Sequence, residues 1–153
     1  MSLSEFSSNR LVKDLNDQEV KGLYARGEVS ELPDNTLVVA EDDMVNSLFI
    51  ILFGRVQVFL PDSDKRVSQI NLTTLDAHEC FGEYAFIDGQ PASASIMTME
   101  QTTLYRISHR RLNKFIDEHV DAGHVIYRNL LSILVRRLRT SNAELDLFQP
   151  AWS

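Results

Sequence analysis

The residues from 81 to 95 combine types that suit the binding of a small anionic ligand. Gly82 has no Cβ, so the backbone can approach a ligand closely where the chain leaves a strand and opens a helical turn. The free backbone N–H groups at the start of such a turn can surround an anion. Glu83 would be a fixed acceptor for a sugar hydroxyl. The small residues 92–95 leave room for the ligand and offer two hydroxyls.

Each of these residues also has a purely structural interpretation. Glu83 either accepts a hydrogen bond from a ribose hydroxyl or caps the helical turn and pairs with a nearby arginine. Ser93 and Ser95 either donate to phosphate oxygens or are small residues required where the next strand begins. The pattern by itself leaves both possibilities open.

The same segment resembles the phosphate-binding cassette of the cyclic nucleotide-binding domain family, which includes the catabolite activator protein and the regulatory subunit of cAMP-dependent protein kinase. That cassette reads Phe-Gly-Glu, a short helix, a turn, then arginine followed by small residues and a serine or threonine. Five positions match in order, namely Gly82, Glu83, Ala85, Ser93 and Ser95. The resemblance implies that these residues, together with Ala92, form a site for a cyclic nucleotide or another small phosphate ligand.

Ala92 is the departure from the family pattern, because the family has its arginine at this place. In the family that arginine neutralises the cyclic phosphate through charge-assisted hydrogen bonds, which are the strong ones. Its loss predicts that cAMP and cGMP bind weakly or not at all. Arg55, Arg66 and Arg106 are candidates to supply a cation from another strand.

Composition indicates one globular domain. The chain has 153 residues, of which 44% are hydrophobic and 24% charged, and its net charge is −7. We expect no membrane span, because no apolar run approaches the ~20 residues that a bilayer requires. The first residues lack the basic and apolar regions of a secretory signal. The single cysteine, Cys80, predicts a buried structural thiol and a cytoplasmic location.

Residues 27–107 read as short strands separated by polar turns, which predicts a mainly β fold, a small jelly-roll-like β-roll with flanking helices. The predicted strands are 37–39, 48–52, 55–59, 67–72, 93–99 and 102–107. The family usually has glycine at several turns, and Gly54 keeps the one in the tight hairpin. Asn35, Asp42 and His78 stand where other glycines are common, and Asn and Asp tolerate a positive φ better than most residues.

Helical periodicity begins after residue 107. Ser108 is a predicted N-cap, and Asp121 is a predicted cap for a longer helix that runs to about residue 144. One apolar stripe on this helix suits packing on its own domain. A second stripe predicts a contact with something else, and in the family that partner is the same helix of a second subunit. The predicted dimer residues are Tyr127, Leu131, Leu134 and Leu138.

The predicted organisation is therefore a single domain, with an N-terminal helical segment (1–26), the β-roll (27–107), C-terminal helices (108–145) and a tail (146–153). Family members that regulate transcription continue after the long helix into a helix-turn-helix domain that binds DNA. This sequence has no residues for such a domain, and its body is acidic, so we expect this chain not to bind DNA by itself. Arg128, Arg136, Arg137 and Arg139 are interpreted as a solvated helix face. Phe148 and Trp152 in the tail suit either a pocket lid or a subunit contact.

No recognisable catalytic or metal-binding pattern is present. The four histidines lack the His-x-His pairing of a metal-binding jelly roll, and no Ser-His-Asp or Cys-His motif appears. We expect no enzymatic activity, no metal and no resident cofactor. The sequence favours a regulatory or sensory ligand-binding module with a degenerate cassette. The alternative is a dimeric interaction module that acts on a partner protein and binds no nucleotide.

Overall fold

The computed structural model describes residues 2–147, with side chains through residue 144. The chain begins with helix α1 (Ser2–Ser7), a 3-10 turn (Arg10–Val12) and helix α2 (Asp17–Ala25). A capping box begins α2: Asn16 Oδ1 accepts from the Glu19 amide at 2.8 Å, and Glu19 Oε1 accepts from the Asn16 amide at 2.9 Å. This reciprocal pair fixes the start of α2.

The predicted β-roll with flanking helices is confirmed. Two four-stranded antiparallel sheets face each other, with strand orders β1-β8-β3-β6 and β2-β7-β4-β5. The strands are β1 (Glu28–Leu32), β2 (Leu37–Val39), β3 (Ser47–Phe53), β4 (Val56–Leu60), β5 (Ile70–Leu75), β6 (Cys80–Phe81), β7 (Ser95–Thr98) and β8 (Thr102–Ser108). Strands β1 and β6 were not among the predicted strands, and β5 begins and ends three residues later than expected.

Strand β3 lies at the centre of the fold, and both of its faces are covered. Leu48, Ile50 and Leu52 face a core shared with the helices, whereas Ile51 faces the second sheet. All four side chains are fully buried. Each contributes roughly 1.5–3 kcal/mol relative to an exposed position. The roll is therefore a firm support for the segments that β3 touches, including β6 and the helix after it.

The turns that lack the family glycines adopt the backbone conformation that glycine normally supplies. The φ angles of Asn35, Asp42 and His78 are 59°, 73° and 75°. Gly54 has a φ of 98°, and a Cβ there would lie 2.5 Å from Thr102 Oγ1. Gly54 is therefore required for both its conformation and its close approach to β8.

Two helices close the described structure. Helix α4 (His109–Glu118) starts at the expected cap, with Ser108 Oγ accepting from the Arg111 amide at 3.1 Å. Helix α5 (Val120–Leu147) begins before Asp121, so the prediction of a cap at Asp121 was wrong. Asp121 lies instead in the first turn, where its charge suits the helix dipole.

The inner stripe of α5 packs on the domain as expected. Ile126, Leu130 and Ile133 are buried, and Asn129 Nδ2 donates to the carbonyls of Leu11 and Lys13 at 2.8 Å each. None of the helices in the described part of the chain is long and apolar enough to span a bilayer.

Candidate functional site

Gly82 directs the chain from β6 into the short helix α3 (Glu83–Asp88). Its φ is 87°, and a Cβ on it would lie 2.4 Å from the carbonyl oxygen of Ser47 on β3. Only glycine fits this close approach without displacing the central strand. Helix α3 ends at Gly89, which also has a positive φ.

Helix α3 and the segment after it enclose a cavity of about 300 Å³ against the second sheet. Five of the six predicted ligand residues line it: Gly82, Glu83, Ala85, Ala92 and Ser93. Strand residues supply largely apolar walls, namely Val39, Val58, Leu75, Phe81 and Ile96. Such a cavity suits the body of a small molecule, with a few polar groups to orient it.

Ser95, the sixth predicted residue, lies away from the cavity. It is 3% exposed, and its hydroxyl oxygen accepts a hydrogen bond from the Glu41 amide at 2.8 Å. That bond fixes the loop after β2 to β7. Of the two open interpretations of Ser95, its position favours the structural one.

Glu83 is the most unusual side chain of the cavity, because a carboxylate is rarely as buried as this one, at 2% exposure. Its Oε1 accepts a hydrogen bond from Arg137 Nη1 of α5, and Arg137 Nη2 donates to the carbonyl of Cys80. Its Oε2 has no hydrogen-bond partner among the described residues. Burial raises the pKa of the Glu83 carboxyl, and the Arg137 guanidinium opposes that shift.

The solvated-face interpretation is wrong for Arg137. Its side chain is 24% exposed and lines the cavity, whereas Arg128, Arg136 and Arg139 are exposed. The sequence carried a signal for this placement: Arg137 follows Ile126, Leu130 and Ile133 at the spacing of the inner stripe of α5. Neither Arg55, Arg66 nor Arg106 lines the cavity.

Ala92 is held by the backbone. Its amide donates to the carbonyl of Asp43, and its carbonyl accepts from the amide of Asp42, both at 2.8 Å. Its side chain packs against the apolar cluster between the sheets. Among the described residues that line the cavity, Arg137 is the only cation, and it is already paired.

Cys80 is buried next to this site, at the carbonyl that Arg137 contacts. Burial raises the pKa of its thiol to about 12, so it stays protonated at neutral pH. The predicted structural thiol is confirmed. The aromatic tail residues Phe148 and Trp152 lie outside the described residues.

Comparison with known proteins agrees with this geometry. The cyclic nucleotide-binding domain family matches residues 29–119. The chain is 28% identical over 144 residues to glutaminase 1 of Bradyrhizobium diazoefficiens, covering 94% of this chain and 22% of that protein. It is also 28% identical over 115 residues to the cyclic AMP receptor protein of Thermus thermophilus, covering 75% of this chain and 50% of that protein.

Among solved structures, a cyclic nucleotide-binding domain from Methylobacillus flagellatus superposes with a TM-score of 0.87 at 23% identity. The match covers 97% of this chain and 85% of that one. The chain spans half or less of the length of the two relatives named above. Because the family match extends over most of the β-roll, the cassette and α4, this chain belongs to the cyclic nucleotide-binding domain family.

Proposed function

We propose that the chain is a non-catalytic regulatory domain whose cavity takes a small ligand with a sugar hydroxyl, and that it binds cAMP and cGMP only weakly. The observation that carries the proposal is the buried Glu83 carboxylate, which lines an apolar cavity and has one oxygen without a hydrogen-bond partner within residues 2–144. A buried acceptor without a partner costs about 1–3 kcal/mol, and more when charged. A ligand hydroxyl that donates to it would remove that cost.

Weak binding of a cyclic phosphate follows from the charges around the cavity. Glu83 and Asp88 both line it, and the guanidinium of Arg137 is engaged with Glu83. A cyclic phosphate that entered would be excluded from water, and the cavity lining, as far as the structure describes it, offers no free cation to offset its charge. Freeing Arg137 for the phosphate would leave Glu83 buried and unpaired.

Calorimetry tests this proposal. Wild-type protein is expected to bind cAMP and cGMP with dissociation constants far above the micromolar range. Ala92→Arg should tighten cAMP binding by about tenfold or more, the size of one charge-assisted contact. Glu83→Ala in that background should remove most of the gain.

The matched control is Ala92→Gln, which adds comparable length without charge and should give no gain. Micromolar cAMP binding by the wild type would show that another group replaces the missing arginine. No gain in Ala92→Arg would show that the cavity does not admit the nucleotide.

A second candidate function is a dimeric interaction module that binds no nucleotide. The outer row of α5 favours it, because Tyr127, Leu131 and Leu138 are exposed in the single chain. Leu134, the fourth predicted dimer residue, is half-buried. Phe86 of α3 stacks on Tyr127 with ring centroids 6.2 Å apart, which places the cassette helix beside this row. Dimerisation does not separate the two candidates, since a dimer can also bind a ligand. The interaction module differs in binding no nucleotide.

A further inference from the structure

A second feature lies outside the cavity, where the end of α2, strand β8 and helix α4 meet. Four cations surround a shallow groove there: Arg26, Arg106, Arg111 and Lys114, here called the basic groove. It consists of two depressions of about 370 and 200 Å³ that share Arg26 and Arg111. None of the residues lining it lines the ligand cavity.

The side chains of the basic groove are partly pre-organised. Arg26 Nη2 donates to Glu118 Oε2 at 2.8 Å, and its guanidinium lies over the Phe115 ring, 5.2 Å from the ring centroid. Arg111 Nη1 donates to the carbonyl of Arg26 at 3.3 Å. A guanidinium that is already ordered loses less conformational freedom when it binds an anion.

The groove has more positive charge than its own acids neutralise. Within residues 2–144, Arg106, Arg111 and Lys114 have no carboxylate oxygen within 4.0 Å. Glu118 is engaged with Arg26, which lowers the pKa of its carboxyl, so Glu28 is the remaining acid of the lining. Converging cations repel one another, and an anionic ligand relieves that repulsion. This excess is local, since the whole chain has a net charge of −7.

We propose that the basic groove binds an acidic peptide segment of a partner protein. Arginine pairs with carboxylates through two parallel hydrogen bonds, and the groove offers several such donors within a concave surface. A peptide with two or three carboxylates can pair with more than one of these cations at once.

Nucleic acid is disfavoured as the occupant. A DNA duplex carries one charge per ~1.7 Å of axis and would extend beyond four cations onto a surface of net negative charge. The peptide proposal does not depend on which ligand the cavity takes, because the two sites share no lining residue.

Fluorescence anisotropy with a labelled acidic peptide tests the proposed peptide binding. The peptide alternates glutamate and glycine and is about eight residues long, which is enough to cross the groove when extended. At physiological ionic strength the wild type should bind this peptide and not its glutamine counterpart. Arg111→Gln with Lys114→Gln should weaken binding by about tenfold. The matched control, Lys13→Gln with Arg139→Gln, removes two exposed cations elsewhere and should change affinity less than about twofold.

Lys114→Gln alone is a milder variant, because Lys114 is exposed on α4 and its replacement does not disturb the core. It should show part of the loss of peptide affinity. Three results would overturn the proposal. The first is no binding of the glutamate peptide by the wild type, and the second is equal weakening by the groove and control variants. The third is tighter binding of a short DNA duplex than of the peptide.

Discussion

Changing Leu131 and Leu138 to glutamate is expected to convert the proposed homodimer into monomers. These two residues are 63% and 61% exposed in the single chain and lie seven positions apart on α5, the spacing at which two helices form a continuous seam. A carboxylate buried at such a seam without a partner costs several kcal/mol. Two of them on each subunit should weaken dimerisation by at least about a thousandfold.

Sedimentation equilibrium measures this change directly. The control is Ser132→Glu with Arg139→Glu, two exposed residues at the same seven-residue spacing but on a different face of α5. That variant should remain dimeric. A wild type that is already monomeric at high micromolar concentration would contradict the proposed seam.

Arg137→Ala is expected to have the largest effect on stability. The substitution leaves the Glu83 carboxylate buried without its cation and removes the donor to the Cys80 carbonyl. Breaking a fully buried pair costs about 3–5 kcal/mol, and the partial exposure of Arg137 reduces the expected loss to about 2–3 kcal/mol. For a domain of this size the melting temperature should fall by roughly 5–10 °C.

The pH dependence of this loss has a defined sign. Burial raises the pKa of the Glu83 carboxyl above its usual 4.5, so the folded state binds a proton more readily than the unfolded state. Arg137 opposes this rise, so its removal raises the pKa of Glu83 further in the variant, which therefore regains more stability than the wild type as the pH falls. The stability difference between wild type and Arg137→Ala should be largest at neutral pH and smaller in mild acid.

Thermal denaturation over a pH series checks both expectations. Arg139→Ala, an exposed arginine on the same helix, should change stability by less than about 0.5 kcal/mol. Glu83→Gln added to Arg137→Ala should recover part of the loss at neutral pH, because it removes the uncompensated charge. An Arg137→Ala variant as stable as Arg139→Ala would show that the pair contributes nothing.

The parts of the fold that depend on local patterns could be predicted from the sequence. Asn35, Asp42 and His78 were placed at turns because the family has glycine there, and all three adopt a positive φ. The caps at Asn16 and Ser108 follow from side chains that bond their own backbone neighbours. These features depend on a few adjacent residues, which the sequence shows directly.

The missed features depend on tertiary contacts or on weak patterns. Strand β1 is an exposed edge strand, Glu-Val-Ser-Glu-Leu, without the apolar alternation that marks a half-buried strand. Ser95 matches the cassette in spacing, but its hydroxyl bonds to the loop after β2.

Arg137 is the most instructive of the misses. We predicted that Arg137 is exposed to solvent because it is charged. Its position along α5, in phase with the buried residues of the inner stripe, indicates instead that it faces the domain. The partner that makes its burial tolerable, Glu83, lies 54 residues earlier in the chain.

The central claim, that Glu83 accepts a ligand hydroxyl in the cavity, is tested most directly by calorimetry of Ala92→Arg with cAMP and with 2′-deoxy-cAMP. A site built to accept a hydroxyl discriminates against an analogue that lacks it, because its buried acceptor is then left unpaired. We predict that cAMP binds at least about tenfold more tightly than the deoxy analogue. Equal affinities for the two nucleotides would contradict the claim.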